Sequence, residues 1–153
     1  MSTRSLIVIR EGRRVYKIYR HSDGYPEGVL SDFKVFFERN GKNNGYRISD
    51  PEYFLANFIF YAKLCFMAAF GDSTTRPWEG GYGVCGEGCE HGDLEYIYEI
   101  DVPDRITIRS YHFKKGWQVE FMGSLTEAIS KYAIYENGCH INMSSLIALK
   151  LGK

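Results

Sequence analysis

An α+β fold is what the sequence predicts: one domain over residues 1–153, with a largely antiparallel sheet of about five strands packed against a long apolar helix. Three observations carry this. Period-two apolar alternation recurs in short segments separated by turn residues, the pattern of hairpins. Tyr53 to Phe70 is an apolar run broken only by Asn57 and Lys63. No regular strand–helix–strand series appears, so a parallel doubly wound sheet is disfavoured. The expected element order is ββααβββαα.

Leu6 to Ile9 and Val15 to His21 read as two strands around the turn Glu11-Gly12-Arg13. Pro26 and Gly28 then punctuate the chain. Val29, Leu30, Phe33, Phe36 and Phe37 follow the spacing of one helix face, which Asn40-Gly41 stops. Ser49-Asp50-Pro51-Glu52 is a helix start: an oxygen-bearing cap, proline in the first turn and a carboxylate facing the helix dipole. The long helix that follows is too interrupted, with Lys63 near its centre, to span a membrane, so it is expected to lie in a protein core.

Asp72 to Gly92 is a glycine-rich loop, of a length usually kept for function. Leu94, Tyr96, Tyr98, Ile100 and Val102 alternate with Glu95, Ile97, Glu99 and Asp101 as a half-buried strand. Val102-Pro103-Asp104-Arg105 turns the chain into strands Ile106 to Phe113 and Trp117 to Phe121, joined around Lys114-Lys115-Gly116. Ser124-x-x-Glu127 is a capping box opening a helix to about Tyr135, and Met143 to Leu151 adds a short terminal helix.

Charge excludes one class of partner. Lys plus Arg and Asp plus Glu both number 19, so there is no basic field for non-specific nucleic-acid binding. A small anion needs only one or two Arg. With no signal peptide recognised, the four cysteines, Cys65, Cys85, Cys89 and Cys139, are expected to be free thiols in a reducing cytoplasm. The 12 Tyr suit interfaces or a pocket that stacks a flat ligand, although a core built of large residues explains them too.

At Met1-Ser2-Thr3-Arg4-Ser5, and again at Tyr19-x-His21-x-Asp23-Gly24-Tyr25-Pro26-Glu27-Gly28, the chain resembles a family of small proteins encoded by bacteriophages and prophages. The resemblance covers about the first 30 residues. His91-Gly92-Asp93-Leu94-Glu95-Tyr96 is similar more loosely. Where family members often carry Cys and Trp, this chain has Arg20 and Ser22. The resemblance implies an origin in a mobile element and a setting in the host cytoplasm, not a mechanism.

Two His-x-Asp triplets draw attention as chemistry. His21 and Asp23 share a face if the strand continues through them, and Glu27 can complete a facial metal set. The alternative is architectural: Asp23 closes a turn, Gly24 supplies positive φ, Pro26 starts the helix and Glu27 favours its positive end. His91, Asp93 and Glu95 repeat the theme on a second strand. Were the triplets to meet, His21, Asp23, His91 and Asp93 would suit a metal-dependent hydrolase acting on a phosphoester. Cys85-x3-Cys89-x-His91, with Cys139 downstream, carries thiolate and imidazole donors at zinc-like spacing, against incidental thiols. A thiol nucleophile paired with His112 or His140 has no local signature, and the glycine-rich loop lacks the phosphate-binding pattern.

The leading expectation is a phage-type accessory protein that binds a host protein or a small anionic, nucleotide-like ligand, which leans away from an enzyme without deciding against one. Arg4, Arg20, His21 and Tyr25 are its candidate contacts, Arg as the anion fork and Tyr as the stacking surface. No cofactor is expected under it; zinc or another divalent metal belongs to the rival readings. The rivals are the hydrolase and a structural protein whose aromatics form a homo-oligomer interface.

Overall fold

A computed structural model describes residues 3–40, 46–70 and 81–134. They form one α+β domain: β1 (Ser5–Glu11), β2 (Arg14–Arg20), α1 (Pro26–Asn40), α2 (Pro51–Phe70), β3 (Tyr82–Cys85), β4 (Tyr96–Asp101), β5 (Arg105–His112), β6 (Gly116–Ser124) and α3 (Leu125–Tyr132). The sheet has six strands in the order β3-β2-β1-β4-β5-β6. Every pairing is antiparallel except β1 with β4, which run parallel.

The hairpins follow from local chemistry. Glu11 pairs with Arg14, leaving Gly12 and Arg13 as the loop, and Gly12 takes φ +59° as a two-residue turn matched to strand twist requires. Gly116 at φ +71° closes the β5–β6 hairpin, where His112 pairs with Gly116 across a three-residue loop.

All three helices lie on one face of the sheet. Ile7, Ile9, Ile18, Tyr98, Ile100, Ile106 and Ile108 point to them, fully buried. From α1 come Val29, Leu30, Phe33, Phe36 and Phe37, the predicted face. Rings interlock between α1 and α2: Phe33 stacks on Phe58 at 4.8 Å, and Phe36 meets Phe54 edge-on at 5.3 Å. Each buried ring of this kind is worth about 1.5–3 kcal/mol relative to exposure. Asp50 caps α2 by accepting from the backbone N–H groups of Glu52 (3.0 Å) and Tyr53 (3.3 Å). The capping box of α3 is present in both directions between Ser124 and Glu127.

Four expectations change. The sheet has six strands, not about five, because Tyr82–Cys85 within the glycine-rich segment pairs with β2 as an edge strand. The described order is therefore ββααββββα, and the expected helix Met143 to Leu151 lies outside the described residues. The strand expected from Leu94 begins at Tyr96, so His91, Asp93 and Glu95 precede it in turns rather than sharing a strand face. The described cysteines are not free thiols: Cys85 is bonded to Cys89, and Cys65 is also in a disulfide, so they give no reason to expect a reducing compartment. Among the described residues no helix is long and apolar enough to cross a membrane.

Candidate functional site

Tyr19 stands where the two sequence motifs converge. It is the penultimate residue of β2, on the sheet face opposite the helices. The His91 ring stacks on it with centroids 3.8 Å apart and planes 4° off parallel. The Tyr19 hydroxyl lies 3.2 Å from Nδ1 of His21. Both histidines are thus held against one tyrosine by a strand end and by the turn that precedes β4.

The turn from Asp23 to Gly28 is built for architecture. The positive φ falls on Asp23, at +53°, and not on Gly24 as expected; aspartate tolerates this left-handed conformation better than most residues. The Gly24 N–H donates to the Thr3 carbonyl at 2.9 Å, and the Gly24 carbonyl accepts from the Tyr98 hydroxyl at 2.6 Å. A Cβ at Gly24 would lie 2.6 Å from Ser5 Oγ, and one at Gly28 would lie 2.2 Å from the Asp23 carbonyl oxygen. Pro26 opens α1, Glu27 lies in its first turn, and the Tyr25 carbonyl accepts from Gly28 and Val29. Tyr25 is exposed and its hydroxyl reaches the Asp23 carboxylate at 3.4 Å.

The two arginines expected to fork an anion already face carboxylates. Arg4 pairs with Asp93. Arg20 turns toward the helices, where its guanidinium meets Asp32 of α1 and the Tyr82 hydroxyl while Nε donates to the Ser22 carbonyl at 2.6 Å. Tyr82 in turn donates to Asp32 at 2.7 Å, and the Arg20 cation lies 4.8 Å from the centre of the Tyr82 ring. Burial and the Asp32 charge keep the Tyr82 hydroxyl protonated well above its ordinary range. Arg20 stays charged, since Tyr82 and Asp32 outweigh its burial.

Among the described residues, one group of three or more metal-donor side chains has all its ligand atoms within 4.8 Å of one another: Cys85, Cys89 and His91. His21, Asp23, His91 and Asp93 do not form such a group. Asp93 is held by Arg4 and Asp23 by the Tyr25 hydroxyl, so the geometry does not favour the four-residue hydrolase centre. Cys139 and His140, the remaining candidates, lie outside the described residues.

A further polar cluster escaped sequence reasoning. Ser110 Oγ lies 2.9 Å from His112 Nε2 and donates to Glu120, whose Oε1 is 3.1 Å from the same nitrogen. These hydrogen bonds hold the Glu120 carboxyl below its ordinary pKa. A relay of the serine-hydrolase kind needs serine and carboxylate on opposite imidazole nitrogens. Here both sit on Nε2, so the cluster is a hydrogen-bonded knot between β5 and β6. The alternation of β5 placed Ser110 and His112 on one face; the irregularity between Ile108 and Arg109 that brings in Glu120 has no sequence signal.

The sheet face away from the helices carries the largest exposed apolar groups of the strands. On the β5–β6 hairpin, Tyr111 packs edge-on against Trp117 at 5.5 Å, beside Val119 and Met122, all substantially exposed. Toward the sheet centre Glu99 pairs with Arg10 at 3.4 Å and Arg109 at 3.3 Å. No protein-family model, curated protein or solved structure matches the chain.

Proposed function

We propose that this is a binding protein, which engages a partner protein through the sheet face that none of the described helices covers. One observation carries the reading: Tyr111, Trp117, Val119 and Met122 stand together on that face, with Met122 66% and Tyr111 50% exposed. Contiguous exposed apolar groups on a soluble domain mark interaction surfaces, and Trp, Tyr and Met are the side chains that interfaces favour. The ion-paired Arg10, Glu99 and Arg109 beside them supply a polar border.

The small-anion version has less support, because Arg4 and Arg20 are both engaged by carboxylates and an anion would have to displace Asp93 or Asp32. The resemblance to phage-encoded proteins favours a host protein as partner, and a host cytoplasm as the setting.

The test compares the wild type with a Trp117→Ser, Met122→Ser double variant, after circular dichroism has verified equal folding. Immobilised in extract of a bacterial host, the wild type should retain a discrete protein that the double variant loses. Equal retention by both sinks the proposal. If the wild type instead sediments as a dimer and the double variant as a monomer, the face is a homo-oligomer interface and the partner-protein reading is replaced.

A further inference from the structure

The turn after β3 brings three metal-donor side chains to one point, and a disulfide needs only two of them. Cys85 ends β3; the chain then reverses through Gly86 to Gly88, with Gly88 at φ +75° and the Cys89 N–H donating to the Gly86 carbonyl at 3.1 Å. This reversal lays Cys89 against Cys85, with Cα atoms 5.6 Å apart. Two residues later the His91 imidazole is fixed by its stack on Tyr19, and its ligand atom falls within 4.8 Å of both sulfurs. Tetrahedral zinc with bonds of 2.0–2.3 Å places its ligands about 3.6 Å apart, so small side-chain rotations suffice once the sulfurs separate.

We propose that Cys85, Cys89 and His91 form a redox-gated zinc site, closed as a disulfide when oxidised and binding Zn²⁺ when reduced. In the first step two equivalents of a thiol reductant transfer two electrons and two protons: the Sγ–Sγ bond breaks, Cys85 and Cys89 become thiols, and the reductant becomes its disulfide. In the second, Zn²⁺ binds both sulfurs and the neutral imidazole, and the two thiol protons pass to solvent. Local charge favours this. The exposed Glu87 and Glu90 beside the two cysteines attract a cation. Among the described residues no fourth donor joins these three, and water can complete the tetrahedron. The site is independent of the apolar face on β5–β6 and stands or falls separately from it.

The experiment uses the full chain, oxidised or reduced with a phosphine, dialysed against Zn²⁺ or Co²⁺ without added thiol. Reduced protein should hold about one equivalent of zinc and give the visible bands of tetrahedral thiolate-bound cobalt, and oxidised protein should show neither. His91→Ala and Cys89→Ser, each verified as folded by circular dichroism, should bind cobalt at least about tenfold more weakly. Reduced protein without stoichiometric zinc overturns the proposal. So does full cobalt binding by Cys89→Ser, which assigns the metal to other thiols of the chain.

Discussion

Tyr98, at the centre of the sheet, donates a 2.6 Å hydrogen bond to the carbonyl of Gly24, 74 residues earlier in the chain. The bond ties β4 to the turn between β2 and α1, and both partners are buried. Tyr98→Phe keeps the ring and strands that carbonyl, so unfolding in urea should show a loss of about 1–3 kcal/mol. A loss below about 0.5 kcal/mol would mean that water or another donor replaces the hydroxyl.

Gly28 is required by proximity and not by its own φ. A methyl group there would press on the Asp23 carbonyl oxygen at 2.2 Å, a backbone atom that cannot swing aside. Gly28→Ala should therefore cost about 2–3 kcal/mol, while Gly86→Ala, with nothing within 4 Å, should stay within about 0.5 kcal/mol. Asp23→Gly relieves the positive φ at the expense of a long hydrogen bond and should change stability by less than about 1 kcal/mol. Thermal melts in which Gly28→Ala falls well below the other two variants check the architectural reading of the turn.

The Arg20–Asp32 pair is protected from solvent on one side only: Arg20 is 12% exposed and Asp32 35%. Asp32→Asn leaves the guanidinium without its counter-charge, and a loss of about 2 kcal/mol is expected, below the range for wholly buried pairs because Asp32 is partly screened. The loss should differ little between low and high salt. A loss that vanishes at high salt would place the pair with ordinary surface ion pairs.

Alkaline pH should unfold the protein through two tyrosines. Burial raises the hydroxyl pKa of both Tyr82 and Tyr98 above the ordinary value of 10.0. Because the folded value exceeds the unfolded one, the stability from burying the neutral phenols is fully present below about pH 10 and is lost as pH rises toward the folded values. Denaturant midpoints should fall above pH 10, and Tyr98→Phe should fall less steeply there. Phenolate absorbance should appear in two stages, exposed tyrosines first and these two with unfolding; a single early stage would contradict their burial.

Where chemistry is local, the sequence was legible. The Gly12 turn, the Asp50 cap, the Ser124–Glu127 capping box and the buried face of α1 each depend on residues within a turn or two of one another. The candidate site was half legible. His21 and His91 were visible as candidates, and period two puts Tyr19 on the face of His21, yet nothing in the spacing showed that His91 would stack on that ring. Arg20 illustrates the limit. As a sequence position it was a free cation beside a histidine, and only the packing of α1 over β2 and β3 set Asp32 and Tyr82 against it.

By itself, then, the chain determined its class, its hairpins, its helix ends and most of its core, because propensity, capping and apolar period act over a few residues. The tertiary structure alone decided three things: that β1 lies parallel to β4, that Tyr82–Cys85 adds a sixth strand, and that His91 stacks on Tyr19. Those are pairings across long stretches of chain or between turns. They are selected by shared burial and hydrogen-bond closure, terms that no local pattern of residues encodes.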